Sequence, residues 1–188
     1  MKHQLRLAMT IAAAASLAAC SHMTPRYGIS GTNVESIHQV AGANAQKVSV
    51  GKFTASQGNQ SSITCRAAGG VSTPDKEPFA TYIENALTSE LKVANVYDAA
   101  SPVRIDGKLE SIDFNSNIGA GKWLIDLTVS GTGVAPVKIH EQYDFSTNWV
   151  ADKACEQVAA ALQPAVQDTL GKLFKEPAFK TLVTTTRQ

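Results

Sequence analysis

The stretch Val103-Arg104-Ile105-Asp106-Gly107-Lys108-Leu109-Glu110 sets the hydrophobic period of this chain to two. Val103, Ile105, Gly107 and Leu109 alternate with Arg104, Asp106, Lys108 and Glu110, the pattern of a sheet with one buried face. Ile112 and Phe114 continue on the opposite parity, so a bulge or twist is expected near Ser111. Asn115 to Lys122 is a polar, glycine-bearing turn, and Trp123, Ile125, Leu127 and Val129 form a second alternating strand. After a Gly- and Pro-containing link, Gly131 to Pro136, a third strand carries Val137, Ile139, Tyr143 and Phe145, with Glu141 as a polar intruder on the same face. Three such strands in succession predict an antiparallel meander.

Helical periods flank the meander. From about Glu77 to Ala94, Phe79, Ile83, Ala86, Leu87 and Leu91 recur at steps of three and four, and Tyr82 widens the stripe. Asp75 and Glu77 stand just ahead of it, where negative charge suits the helix dipole. From about Ala151 to Lys175, Ala154, Val158, Ala161, Leu162, Ala165, Val166, Leu170 and Phe174 trace a longer stripe, which Pro164 should kink or break. Lys47 to Phe53 reads as a short strand, Ser61 to Cys65 as a further extended piece, and Arg66 to Pro78 as a loop. The expected fold is α+β, in the order β-α-β-β-β-α. Two helices on one face of an antiparallel sheet would hide both apolar stripes at once. The domain is placed at residues 47–176, with 177–188 as a C-terminal tail.

The first residues obey a different logic. Lys2 and Arg6 precede an apolar run, Leu5 to Ala19, of about fifteen residues, shorter than the roughly 20 a spanning helix needs. The run ends Leu17-Ala18-Ala19-Cys20, which resembles the lipobox of bacterial lipoproteins. That resemblance implies a signal peptide over 1–19, removal of the leader, and acylation of Cys20. An ordinary secretory cut after Ala19 would put Leu17 where a small residue is preferred. Ser21 follows the cysteine where many inner-membrane lipoproteins have Asp, so the resemblance implies an outer-membrane address on the periplasmic side of a Gram-negative envelope. Residues 20–46, rich in Ser, Thr, Asn, Gly and Ala, are expected to be the lipidated Cys20 and a flexible tether. Val34, Ile37 and Val40 fall at near-helical spacing after Asn33, so a short helix can interrupt it, docked on the domain or on a partner.

The full chain has 188 residues with 17 basic and 16 acidic side chains. Loss of Lys2 and Arg6 with the leader leaves it near neutral, with no basic footprint for nucleic acid and no polybasic stretch for anionic lipid. Membrane association rests on the anchor. With Cys20 acylated, Cys65 and Cys155 remain as an even pair in an oxidising compartment. A disulfide would close a loop of about 90 residues, worth roughly 4–5 kcal/mol on the chain-entropy model. The rival readings are free thiols and metal ligands, but neither cysteine belongs to a Cys-x-x-Cys pair and the histidines show no ligand spacing.

Three features invite a chemical reading. Gly119-Ala120-Gly121-Lys122 has the end of a phosphate-binding loop, but Ser116 and Trp123 stand where the motif needs Gly and Ser or Thr, and no helix follows. Gly28-Ile29-Ser30-Gly31 lacks the register of a nucleophile elbow. Asp126 and Glu141 lie on neighbouring strands with different parity, so Asp126 should face solvent and Glu141 should share a face with Ile139 and Tyr143. No catalytic residue, metal site or cofactor is assigned. Among the aromatic residues, Phe79, Trp123, Tyr143 and Trp149 are candidates for an interface or a pocket, and core packing explains them equally.

From Gly51 onward, the stretches GKFTA at Gly51, ITCRAAGG at Ile63, PFATYIENALTSEL at Pro78, GKLESIDF at Gly107 and GKWLIDLTVSG at Gly121 resemble a group of uncharacterised small proteobacterial lipoproteins. The group brings no activity to carry over. In element order alone, the domain is similar to periplasmic α+β lipoproteins such as the penicillin-binding-protein activators and the curli secretion lipoprotein. The expected function is that of a non-enzymatic lipoprotein binding another envelope protein, with a small-molecule or glycan carrier as the alternative. The carrier reading predicts a cavity between sheet and helices beside Phe79, Trp123 and Tyr143.

Overall fold

A computed structural model describes residues 21–184. The leader, Cys20 and residues 185–188 lie outside the described residues. In chain order the elements are β1 His22–Met23, α1 Gly31–Ala41, β2 Ser49–Val50, β3 Thr54–Ala55, β4 Ser62–Thr64, β5 Gly70–Ser72, α2 Phe79–Val93, β6 Arg104–Asn115, β7 Gly121–Gly131, β8 Val134–Phe145, α3 Ala151–Phe174 and α4 Pro177–Val183. The fold is α+β.

The meander is the frame. β6 pairs antiparallel with β7 and β7 with β8, and the register shifts between Leu109 and Ser111 where the parity of the sequence changes. Ile105, Leu109, Ile112, Trp123, Ile125, Leu127, Val129 and Ile139 are buried on one face, which packs against the helices. α2 lies against β6, and α3 crosses β7 and β8. The helices bury the stripes their periods mark out: Phe79, Ile83, Leu87 and Leu91 from α2, and Val158, Leu162, Val166, Leu170 and Phe174 from α3. α2 stops where Asn95 adopts a left-handed φ of 58°, a conformation Asn tolerates at a helix end. α3 runs through Pro164 unbroken. A proline cannot bond the carbonyl four residues back, but Ala160 is exposed and water can serve its oxygen.

Several expectations are corrected. β2 and β3 run parallel to β6, so the main sheet is mixed. The reason is topological: α2 lies between them in the chain, and a helical crossover returns the chain in the same direction. The third meander strand starts at Val134 instead of Val137, because Thr132-Gly133 makes the turn with Gly133 at φ 73°. Pro136 is tolerated because β8 is an edge strand. The loop from Arg66 to Pro78 contains β5, which with β1 and β4 builds a second, three-stranded sheet.

The flexible tether expected over 20–46 is also corrected for the part described. β1 pairs parallel with β5, and the Thr24 N–H donates to the Ser72 carbonyl at 2.8 Å. α1 packs on α2, α3 and α4, with Ile37 fully buried. Its N-cap is Ser30. A buried carboxylate receives this segment: Glu90 of α2 accepts hydrogen bonds from the Tyr27 hydroxyl at 2.6 Å and the Ser30 N–H at 2.9 Å. Burial, followed by the neighbouring Glu90 carboxylate, pushes the Tyr27 phenol far above its ordinary value. The tail expected from residue 177 likewise folds. α4 buries Phe179, Leu182 and Val183, the Phe179 ring lies 5.0 Å from that of Phe174, and the Gln46 N–H donates to the Val183 carbonyl. Small polar composition reads as tether only when no distant apolar surface needs covering, and here the backs of α2 and α3 do.

Candidate functional site

Cys65 and Cys155 are joined in a disulfide, with Cα atoms 5.9 Å apart. Both are buried. The bridge fastens the loop between β4 and β5 to the first turns of α3. In that loop Arg66 and Ala67 take left-handed φ values of 44° and 55°, which a non-glycine residue holds only when its surroundings require it. Arg66 is held at its far end too, donating from Nη1 to the Asn148 carbonyl at 2.9 Å and from Nε to Ser116 Oγ at 3.0 Å.

Three of the four aromatic candidates are neighbours and Trp149 stands apart. Phe79 and Trp123 are core residues with ring centroids 6.2 Å apart, and Trp123 Nε1 donates to the Val158 carbonyl at 2.9 Å. Tyr143 is half-buried opposite Trp123 in the sheet register. Trp149 stands 77% exposed. Two spaces open between sheet and helices, one beside Phe79, Leu109 and Ile112 and one beside Val137, Leu173 and Phe179. Each is about 10 Å³, room for about one water and not for a ligand.

The polar constellations of interest came from register and from helix packing, which sequence alone does not display. On the outer face of the meander, the bulge turns both Glu110 and Ser111 away from the core. Ser111, Asp126 and His140 then fall in one cross-strand row. Ser111 Oγ donates to Asp126 Oδ2 at 2.6 Å, and His140 Nδ1 lies 2.6 Å from Asp126 Oδ1. The Ser111 hydroxyl, then His140, hold the Asp126 carboxyl below its ordinary value. Alongside, Glu110 is met by Lys108 Nζ at 2.8 Å, by the Ser56 hydroxyl and by Thr128 Oγ1 at 3.1 Å. Lys108 and then Ser56 bring its carboxyl down to about 2. Glu110, Ser111, Asp126, Thr128, Lys138 and His140 line a shallow groove of about 430 Å³.

The row contains serine, histidine and aspartate in the wrong relation for acyl transfer. A nucleophile must bond the histidine that takes its proton, whereas here Ser111 and His140 each face a different oxygen of Asp126. What the row can do is present fixed charge and hydrogen-bonding groups to a partner.

The second constellation lies on the helix side. Glu141 faces inward from β8, as its parity with Ile139 requires, and is 3% exposed. Its Oε2 lies 3.0 Å from Lys172 Nζ, and Lys172 also donates to the His140 carbonyl at 2.8 Å. Asp126 and Glu141 are therefore on opposite faces of the sheet, each with its own partner, and form no carboxylate pair. Above Glu141, α1 crosses α3 where Gly171 lets Asn33 approach; a Cβ there would lie 2.9 Å from Asn33 Oδ1. Asn33 Nδ2 donates to the Gln167 carbonyl at 2.9 Å. A polar cleft of about 400 Å³ results, lined by Asn33, Ser36, Glu141, Asp168, Lys172 and Lys175 among others. Among the described residues no cluster of three or more His, Cys, Asp or Glu side chains suits a metal ion, and no helix is long and apolar enough to cross a membrane.

Comparison with known proteins gives a likeness of fold. The crystal structure of protein XCC0632 from Xanthomonas campestris, of family DUF330, superposes with a TM-score of 0.56 at 11% sequence identity, over 86% of this chain and 96% of that one. No family model matches the sequence, and no curated protein matches it.

Proposed function

We propose that this chain is a lipid-anchored periplasmic protein of the Gram-negative outer membrane that acts without catalysis, by binding another envelope protein through the outer face of its meander. The observation that carries this reading is the character of that face. β6, β7 and β8 are 11–12 residues long, or about 35–40 Å, and their solvent side is a field of both charges. Arg104, Asp106, Lys108, Glu110, Asp126, Lys138 and His140 project from strands whose own hydrogen bonds hold them rigid. Such a surface selects a partner by complementary potential, at little entropic cost.

The anchor reading supports this role, since an acylated protein and its partner meet in one compartment. Photo-reactive side chains placed at Lys108 and Lys138 in the native envelope test it, with Glu156 on the helical side as control. Discrete protein adducts are expected from the two sheet positions and not from the control. A sheet face that captures no protein would sink the proposal.

A second reading, that of a glycan or small-molecule carrier, is favoured by the cleft above Glu141. Its occupant would be polar, since the lining is. Soluble envelope glycan fragments should then raise the unfolding temperature of the protein and not that of Glu141→Gln. An unchanged temperature across a fragment panel removes this reading.

A further inference from the structure

We infer that one end of the domain rests directly on the lipid bilayer, through Ile118, Trp149 and Val150. The inference rests on the reading of Cys20 as the acylated residue and adds to it an orientation and a contact surface.

The apolar side chains come first. Trp149 is 77% exposed, Ile118 73% and Val150 40%, large groups for a chain that buries its other tryptophan completely. They come from two loops that the fold ties together. Ile118 tips the hairpin between β6 and β7; Trp149 and Val150 lie between β8 and α3. The Gly119 N–H donates to the Thr147 carbonyl at 3.1 Å, the Thr147 hydroxyl donates to the Asn117 carbonyl, and the Arg66 guanidinium spans Ser116 and Asn148. The loops are thus held with their apolar side chains outward, when a slack loop would fold them in. Contiguous exposed apolar groups on one end of a domain mark a contact surface.

The chain start identifies what is contacted. Ser21 follows Cys20 directly, and its Oγ lies 3.1 Å from Ser72 Oγ. His22 pairs with Val71 of β5, and His22 Nε2 lies 3.6 Å from Asp152 Oδ1, in the first turn of α3, two residues from Val150. Two peptide links, each about 3.8 Å between Cα atoms, therefore separate the acylated residue from β1, at the end of the molecule that exposes Trp149. An anchor without slack brings that end to the membrane surface. Tryptophan, with an apolar ring and one N–H, suits the headgroup level. Ile118 and Val150 beside it are apolar enough to enter the acyl boundary. The partner is accordingly phospholipid. The strands of the meander then rise from this end, and their charged outer face is turned to the periplasm.

The two tryptophans make the test direct, because Trp123 is buried and serves as an internal baseline. The acylated mature protein is reconstituted into phosphatidylethanolamine–phosphatidylglycerol vesicles, with lipids brominated near the carbonyl end as quenchers from within and iodide as quencher from the water. Trp149 emission should shift to the blue, lose intensity to brominated lipid and become protected from iodide. Trp149→Phe should lose the lipid-dependent quenching and keep the Trp123 signal. A Trp149 that remains open to iodide and untouched by brominated lipid overturns the inference. So does shielding found only in native envelopes and not in protein-free lipid, which assigns the patch to a protein. Mass analysis of the mature N-terminus separates the two layers of argument. An unacylated terminus overturns both readings, whereas an acylated Cys20 with a solvent-open Trp149 overturns this one alone.

Discussion

The meander and the segment before α2 are built on different principles. β6, β7 and β8 are long, consecutive in the chain and joined by short turns, so each strand meets its neighbour locally and the alternating pattern is enough to set which face it buries. Residues 21–72 hold five strands of two or three residues, none able to stand alone. They persist through distant ties: β1 on β5, β2 and β3 on β6, the disulfide across 90 residues, and Glu90 receiving Tyr27 and Ser30. The contrast shows how one chain can be firm in its second half by pattern and firm in its first half by fastening.

Removing the fastening should have the largest effect. The pair Cys65→Ser and Cys155→Ser is expected to lower stability by about 4–5 kcal/mol, the chain entropy of the opened loop, measured by urea unfolding. Native-state amide exchange should quicken most in residues 62–72 and least in 121–131. Equal acceleration in both would break the contrast.

The seam between the regions offers a smaller effect. Phe53, after β2, lies over Gly107 of β6, and a Cβ at position 107 would lie 2.3 Å from the ring. Gly107→Ala should cost about 1–3 kcal/mol by overpacking. Phe53→Leu in the same chain should recover part of that loss in a double-mutant cycle. Additive losses would mean that the seam is not a shared contact.

The smallest expected effect lies on the outer face. Glu110 and Asp126 have carboxyl groups lowered in the folded protein. Their contribution is therefore present above the unfolded carboxylate value of about 4 and lost as pH falls through the folded one, which for Glu110 is about 2. Both groups are substantially solvated, so the change in stability is slight and the titration itself is the better measure. Side-chain NMR should place the Glu110 midpoint at about 2, and Ser56→Ala should raise it. Ser111→Ala should do the same for Asp126. Midpoints at the ordinary carboxylate value would show that these hydrogen bonds do not persist in solution.

Much of the candidate site was half-visible in the amino acids. The outward parity of Asp126 and the inward parity of Glu141 follow from alternation, and the break at Ser111 follows from the change of parity at Ile112. Which residues stand side by side does not, because cross-strand neighbours depend on register: Ser111, Asp126 and His140 meet only once the bulge has shifted β6 against β7. Glu90 carried an unused signal. It falls in the buried stripe of α2 between Leu87 and Leu91, and a carboxylate there requires a polar partner from elsewhere.

By itself, then, the sequence determined the features that rest on local period and chemistry. These are the three long strands, the stripes of α2 and α3, and the bulge; the pairing of Cys65 with Cys155 is an expectation that the structure bears out. Tertiary structure decided the fate of residues whose local pattern is weak: that residues 21–46 and 177–184 belong to the domain, that β2 and β3 run parallel to β6, and that Trp123 is core while Trp149 is surface. The physical reason is range. Periodicity is a property of neighbours, whereas burial depends on what a segment meets across the fold, as Asn33 does at Gln167, 134 residues away.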